Sequence, residues 1–221
     1  MELLFTVLAA LAAWLLINAV RRGSRNARAR KQSRKEAEES KRRARHYFDA
    51  LHARLGPAYR TLELTAEDRE FMALHGYGEA AVRRLISRIM IHLGMPYSDF
   101  RVVITDGTDA KTAGTYQHDP LHPTIGLQLR PGYTTEQIVA IVCHECAHHF
   151  LNVKKMKGAS DHGNELLTDY AAVYTGMGPL LRAGYQDPAN LYKEKADRTR
   201  VGYITAGDID AAMSVLNEYG K

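Results

Sequence analysis

Apolar positions recur at helical spacing along much of this chain, and the period shortens to two over one central stretch. Val82, Leu85, Ile86, Ile89, Met90 and Leu93 share one face of a helix predicted over 79–93, which Gly94 and Pro96 stop. Residues 26–55, rich in Ala, Arg, Lys and Glu, read as a helix ended by Gly56-Pro57. Thr65-x-x-Asp68 opens a short helix through Leu74, and Thr134-x-x-Gln137 opens another reaching about Leu151. Further helices are predicted over 163–175 and, capped by Thr205, up to about Tyr219. Between them, RVVIT (101–105), GTYQH (114–118) and TIGLQL (124–129) read as three strands separated by Gly, Asp and Pro. Helices, then a small sheet, then helices is an α+β plan, and residues 61–221 hold enough apolar residues for one core.

The N-terminus departs from that plan. Residues 3–20 (LLFTVLAALAAWLLINAV) carry no charge, which is near the length a membrane span requires. Residues 21–45 follow with 12 Lys/Arg against three Glu, a net of +9 within a chain of +5, so the remainder sums to −4. The basic character therefore belongs to one flank rather than to the folded part, and no specific nucleic-acid partner is expected. Basic residues favour the cytoplasmic side of a membrane. The expected organisation is a transmembrane anchor over 1–20, a basic juxtamembrane helix and linker over 21–60, and a cytoplasmic folded domain over 61–221. Residues 21–45 are also suited to anionic lipid headgroups.

The helix opened by Thr134 carries the candidate chemistry, in the stretch VCHECAHHF (142–150). His144 and His148 lie about 40° apart around the axis and one turn along it, so both imidazoles reach one ion. Glu145, beside them, can approach the open face of that ion without binding it. Two histidines, a third ligand and an open position suit Zn²⁺, which activates a water for attack on a carbonyl. A carboxylate then takes the proton from that water. The third ligand is sought in NELLTD (164–169), where Glu165 and Asp169 share a helix face: one can bind zinc while the other fixes a ligand imidazole. Cys143 and Cys146 form a C-x-x-C on the same helix, but they sit about nine residues inside it, where no helix terminus activates a thiol, and no further cysteines complete a ribbon. Both are expected off the metal face, Cys146 in the core, and His149 likewise points about 100° away from His148.

His144-Glu145-Cys146-Ala147-His148 followed by Asn164-Glu165-Leu166-Leu167-Thr168-Asp169 resembles the gluzincin metallopeptidases, the thermolysin-like class, over about 30 residues. The resemblance implies a zincin-like fold, with a small mixed sheet packed on the H-E-x-x-H helix and a downstream glutamate helix. It implies peptide hydrolysis, with zinc held by His144, His148 and Glu165, Glu145 as general base, and Asp169 orienting a ligand histidine. The spacing from His148 to Glu165 is shorter than in thermolysin and the chain is smaller, so Asp169 as the third ligand, as in aspartate-type zincins, stays open. Zincins also lay extended substrate along an edge strand, for which 113–118 and 124–129 are the candidates. Tyr203, Tyr174 and His162 are candidates to hold an oxyanion. The rival reading keeps the fold as a membrane-tethered scaffold without catalysis.

Overall fold

The computed structural model describes residues 2–76, 78–96, 98–107, 112–185 and 202–220, with side chains from residue 29 onward. The apolar stretch 3–20 and the first part of the basic run thus lie outside the described side chains. Among the described residues, no helix is long and apolar enough to cross a membrane. The chain divides into two units, Met1–Ser40 and Lys41–Lys221. In the first, residues 29–39 are exposed, with Gln32 Nε2 donating to Glu36 Oε1 at 2.7 Å, one turn along the helix.

The first helix, α1, spans Glu2–Leu55. Its residues from Lys41 onward belong to the second unit, which therefore begins well before residue 61. Ala44, Phe48 and Leu51 recur at helical spacing and are fully buried. Phe48 meets the rings of Tyr170, Tyr174 and Tyr219 edge-on. The two ends of this unit are tied together: Arg45 forks onto the Glu218 carboxylate at 2.7 and 2.9 Å, and the Tyr219 hydroxyl donates to Asp49 at 2.7 Å.

Helices α2 (Ala66–His75) and α3 (Glu79–His92) precede the strands β1 (Arg101–Asp106), β2 (Gly114–Gln117) and β3 (Thr124–Leu129). Thr65 and Asp68 cap α2 reciprocally, as their spacing predicts. The sheet is mixed, in the order β1-β3-β2. β3 pairs parallel with β1 (Val102 opposite Ile125) and antiparallel with β2 (Tyr116 opposite Ile125). Ile125 and Leu127 alternate inward to the core, the period-two pattern of a sheet with one covered face.

Helix α4 (Thr135–Val153), capped by Thr134 and Gln137, runs through the centre, touching β2, β3, α3, α5 and α6. Fourteen of its 19 residues are buried, so its apolar character extends around the whole helix. Helix α5 (Asp161–Ala172) follows. The helix predicted to reach 175 instead ends at Ala172 and passes through a π-type turn, Val173–Met177, into α6 (Gly178–Gly184). Gly176 causes the break: its φ is +87°, and a Cβ there would meet the Arg60 carbonyl oxygen at 1.9 Å. The freed carbonyls of Tyr174 and Gly176 accept from the amides of Tyr59 and Leu62 at 3.1 and 2.9 Å, and that of Thr175 bonds His92 Nε2 at 2.8 Å. The last helix, α7 (Ala206–Val215), opens with the Thr205/Asp208 capping box and tightens into a 3₁₀ turn, Leu216–Tyr219.

Candidate metal centre

Three polar side-chain atoms of α4 and α5 converge on one point. His144 Nε2, His148 Nε2 and Glu165 Oε2 form a triangle whose three sides are each 3.1 Å. Both imidazole tautomers follow from the atoms behind them. His144 Nδ1 lies 2.8 Å from Asp169 Oδ1, a carboxylate oxygen that only accepts, so Nδ1 carries a proton. His148 Nδ1 lies 3.1 Å from the Thr168 hydroxyl, which spends its own proton on the Asn164 carbonyl at 2.8 Å. It too must donate. When a ring is neutral, its remaining lone pair is therefore on Nε2, turned toward the triangle, where a carboxylate oxygen adds a third donor.

Three such atoms facing one another at 3.1 Å call for a positive charge between them, either a proton on an imidazole or a metal ion. A tetrahedral ion with N/O bonds of about 2.0–2.1 Å holds its ligands about 3.3 Å apart. The triangle is within a few tenths of an ångström of that, with one face left open. Two imidazoles and a carboxylate are the donor set that suits zinc. These are the only three described residues whose ligand atoms come together in this way. Asp169 is not among them, because its carboxylate is fully committed elsewhere. Oδ1 also accepts from the Tyr185 hydroxyl at 2.5 Å, and Oδ2 accepts from the backbone amides of Tyr203 and Ile204 at 2.7 and 3.0 Å.

The electrostatics favour a positive charge at this point. Burial lowers the His144 pKa, but the Asp169 carboxylate outweighs it with help from Glu165 and Glu145, and holds it well above the usual imidazole value. Burial raises Glu165, yet the two imidazoles beside it overcome that and hold the carboxyl at about 2. Burial likewise pushes Glu145 up, opposed by the two histidines.

Glu145 is buried beside the triangle, and its carboxylate lies against Gly114 on β2. A Cβ on Gly114 would stand 2.3 Å from Glu145 Oε1 and 2.6 Å from Ile141 Cγ2, so glycine is what lets this strand come so close. Above the triangle lies a cleft of about 820 Å³, bounded by β2, α4, α5 and Tyr203. The strand order leaves β3 paired on both sides. β2 is therefore the edge strand at the cleft, while 124–129 has no open edge.

Of the three oxyanion candidates, the structure brings two to the cleft. Tyr203 and His162 line it, and the Tyr203 ring stacks on His144 at 5.9 Å. Tyr174 does not reach it: its fully buried hydroxyl donates to the Gly56 carbonyl at 2.6 Å and meets His52 Nδ1 at 2.9 Å, as part of the α1 packing. Cys143 and Cys146 are both free and fully buried, and burial drives each thiol upward, so neither is an activated nucleophile. His149 bonds the Tyr116 hydroxyl through Nδ1 at 3.0 Å, and burial lowers it to about 4. The sequence does not single out Thr168, Gly114 or Tyr116. Thr168 could have been found from its place three residues after Glu165, one turn along and facing the same neighbour.

No known family model, curated protein or solved structure matches this chain.

Proposed function

We propose that this chain is a zinc-dependent peptidase of the gluzincin type, built on a minimal zincin-like fold. The observation that supports it most is the triangle of His144, His148 and Glu165, with both tautomers fixed from behind and Glu145 beside the open face. His144, His148 and Glu165 would hold the zinc, which would supply a Lewis acid and a water of pKa about 7. Glu145 takes the proton from the attacking water and delivers it to the leaving amine. Its buried position strengthens it as a base, since little solvent competes for the proton. Asp169 and Thr168 hold the two imidazoles in register. Extended substrate adds alongside β2 by main-chain hydrogen bonds. Tyr203, kept protonated by a pKa that burial raises, offers its hydroxyl to the developing oxyanion. Residues 3–20 anchor the chain in a membrane, and the basic run that follows holds the peptidase unit on the cytoplasmic side.

The test is metal content and hydrolysis on the full-length chain. About one zinc per chain with cleavage of a quenched-fluorescent peptide library is expected. Purified chain that takes up no zinc overturns the reading. Zinc without cleavage of any peptide favours a tethered binding protein instead.

Gly114→Ala follows from the close approach of β2. The new methyl must push Glu145 or the strand aside, and about an ångström of misplacement costs on the order of 100-fold in rate. A fall of about 10–100-fold in kcat with zinc content unchanged is expected, and a parental kcat would remove the strand from this role.

A further inference from the structure

A second cavity, of about 570 Å³, opens beside the metal cleft and shares two of its walls: His162 and Tyr203 line both. Its remaining walls come from α1, α5 and the start of α7. They have two characters. Tyr47 stacks face to face on Tyr170 at 4.6 Å, and with Leu166 and Ile204 they make an apolar, aromatic lining. Arg42, Arg43 and His46 supply the polar part, with Arg42 and His46 one turn apart on α1 and both exposed. Asp208 is the one carboxylate among its described lining residues. It is bound to Arg43 at 2.6 Å and also accepts from the Thr205 amide at 3.0 Å. One arginine is thus neutralised inside the cavity wall, and Arg42 leaves the outer rim positive.

We propose that this cavity is the specificity pocket of the peptidase and takes an acidic side chain of the substrate, glutamate in preference to aspartate. The inference rests on the peptidase reading above. His162 and Tyr203 line both the metal cleft and this cavity, so a substrate lying in the cleft can turn a side chain near the scissile bond into it. Its methylenes run over Tyr47 and Tyr170. Its carboxylate reaches the positive rim, and the longer glutamate reaches further than aspartate. Arg is suited to this role because its planar fork matches a carboxylate in two hydrogen bonds. A lysine at the same position would place a cation against Arg42 and is excluded.

The test separates pocket from chemistry by measuring binding. The zinc-loaded full-length chain carrying Glu145→Gln is titrated with fluorescein-labelled heptapeptides in which one Glu, Gln, Asp or Lys is moved through each position, and anisotropy is read. Glu at one position is expected to bind about five-fold tighter than Gln, the scale of an exposed ion pair. Asp should be intermediate and Lys weakest. Arg42→Lys should keep the order, and Arg42→Glu should reverse it so that Lys binds best at that same position. Equal binding of Glu and Gln at every position, or a preference unchanged by Arg42→Glu, overturns the proposal, as does a chain that binds none of the peptides. Cleavage by the unsubstituted chain is scored separately, so a failure of the peptidase reading shows there while the pocket is judged on binding alone.

Discussion

Replacing Glu145 by glutamine is expected to cut peptide hydrolysis about 100- to 10,000-fold while the zinc stays in place. The two observations must be made together. Glutamine keeps the shape and the contact with Gly114, so β2 has no reason to move. It cannot accept a proton, so the attacking water keeps its own. Because Glu145 contributes no atom to the His144–His148–Glu165 triangle, zinc content measured by elemental analysis should match the parent. Activity within about three-fold of the parent would sink the assigned base. Loss of zinc with activity would instead place Glu145 among the ligands.

The second large effect is expected from Asp169→Asn. Four groups surround this carboxylate and all of them donate: His144 Nδ1, the Tyr185 hydroxyl, and the amides of Tyr203 and Ile204. An asparagine must turn its NH₂ toward one pair of those donors whichever way it flips. Breaking a buried, fully paired carboxylate site costs about 3–5 kcal/mol, readable as a lower urea midpoint in the presence of chelator. The zinc Kd should also rise about 10–100-fold, because His144 loses the partner that fixes its tautomer. Glu165→Ala makes the contrast. Its side chain is a quarter exposed and bonds only the two histidines, so zinc should be lost with a smaller drop in the chelated protein's midpoint than Asp169→Asn causes. An Asp169→Asn chain with parental midpoint and parental zinc affinity would refute the positioning role.

Most elements of this fold are visible as local chemistry. The reciprocal caps at Thr65, Thr134 and Thr205 each need only four consecutive residues, and all three form. The strands are short but bounded by turn residues, and their limits shift by a residue or so. The sheet order is another matter, because nothing within a strand says that β1 pairs directly with β3. The two histidines one turn apart are legible because the helix period alone places them. The choice between Glu165 and Asp169 is not, since the two share a face. It depends on what lies behind each: an open triangle for one, and four donors for the other. Tyr174 shows the same limit. Its neighbours in sequence lead toward the site, but the π-type turn at Gly176 and the packing of α1 take its hydroxyl to Gly56. The burial of Ala44, Phe48 and Leu51 hides inside a segment whose charge dominates its composition.

That burial has a consequence for how the chain is made. The residues that complete the second unit around Phe48 are Tyr170, Tyr174 and Tyr219, more than 120 positions later, and the clasp from Arg45 reaches Glu218. A ribosome that has released α1 has none of these partners to offer it. Contacts of such long sequence separation form late, because a long loop must close before they repay its entropy. The unit closes as a ring, first residues against last, and its aromatic seam stays open until the final helix is out. During that interval the exposed Phe48 face is the surface on which newly made chains would stick to one another.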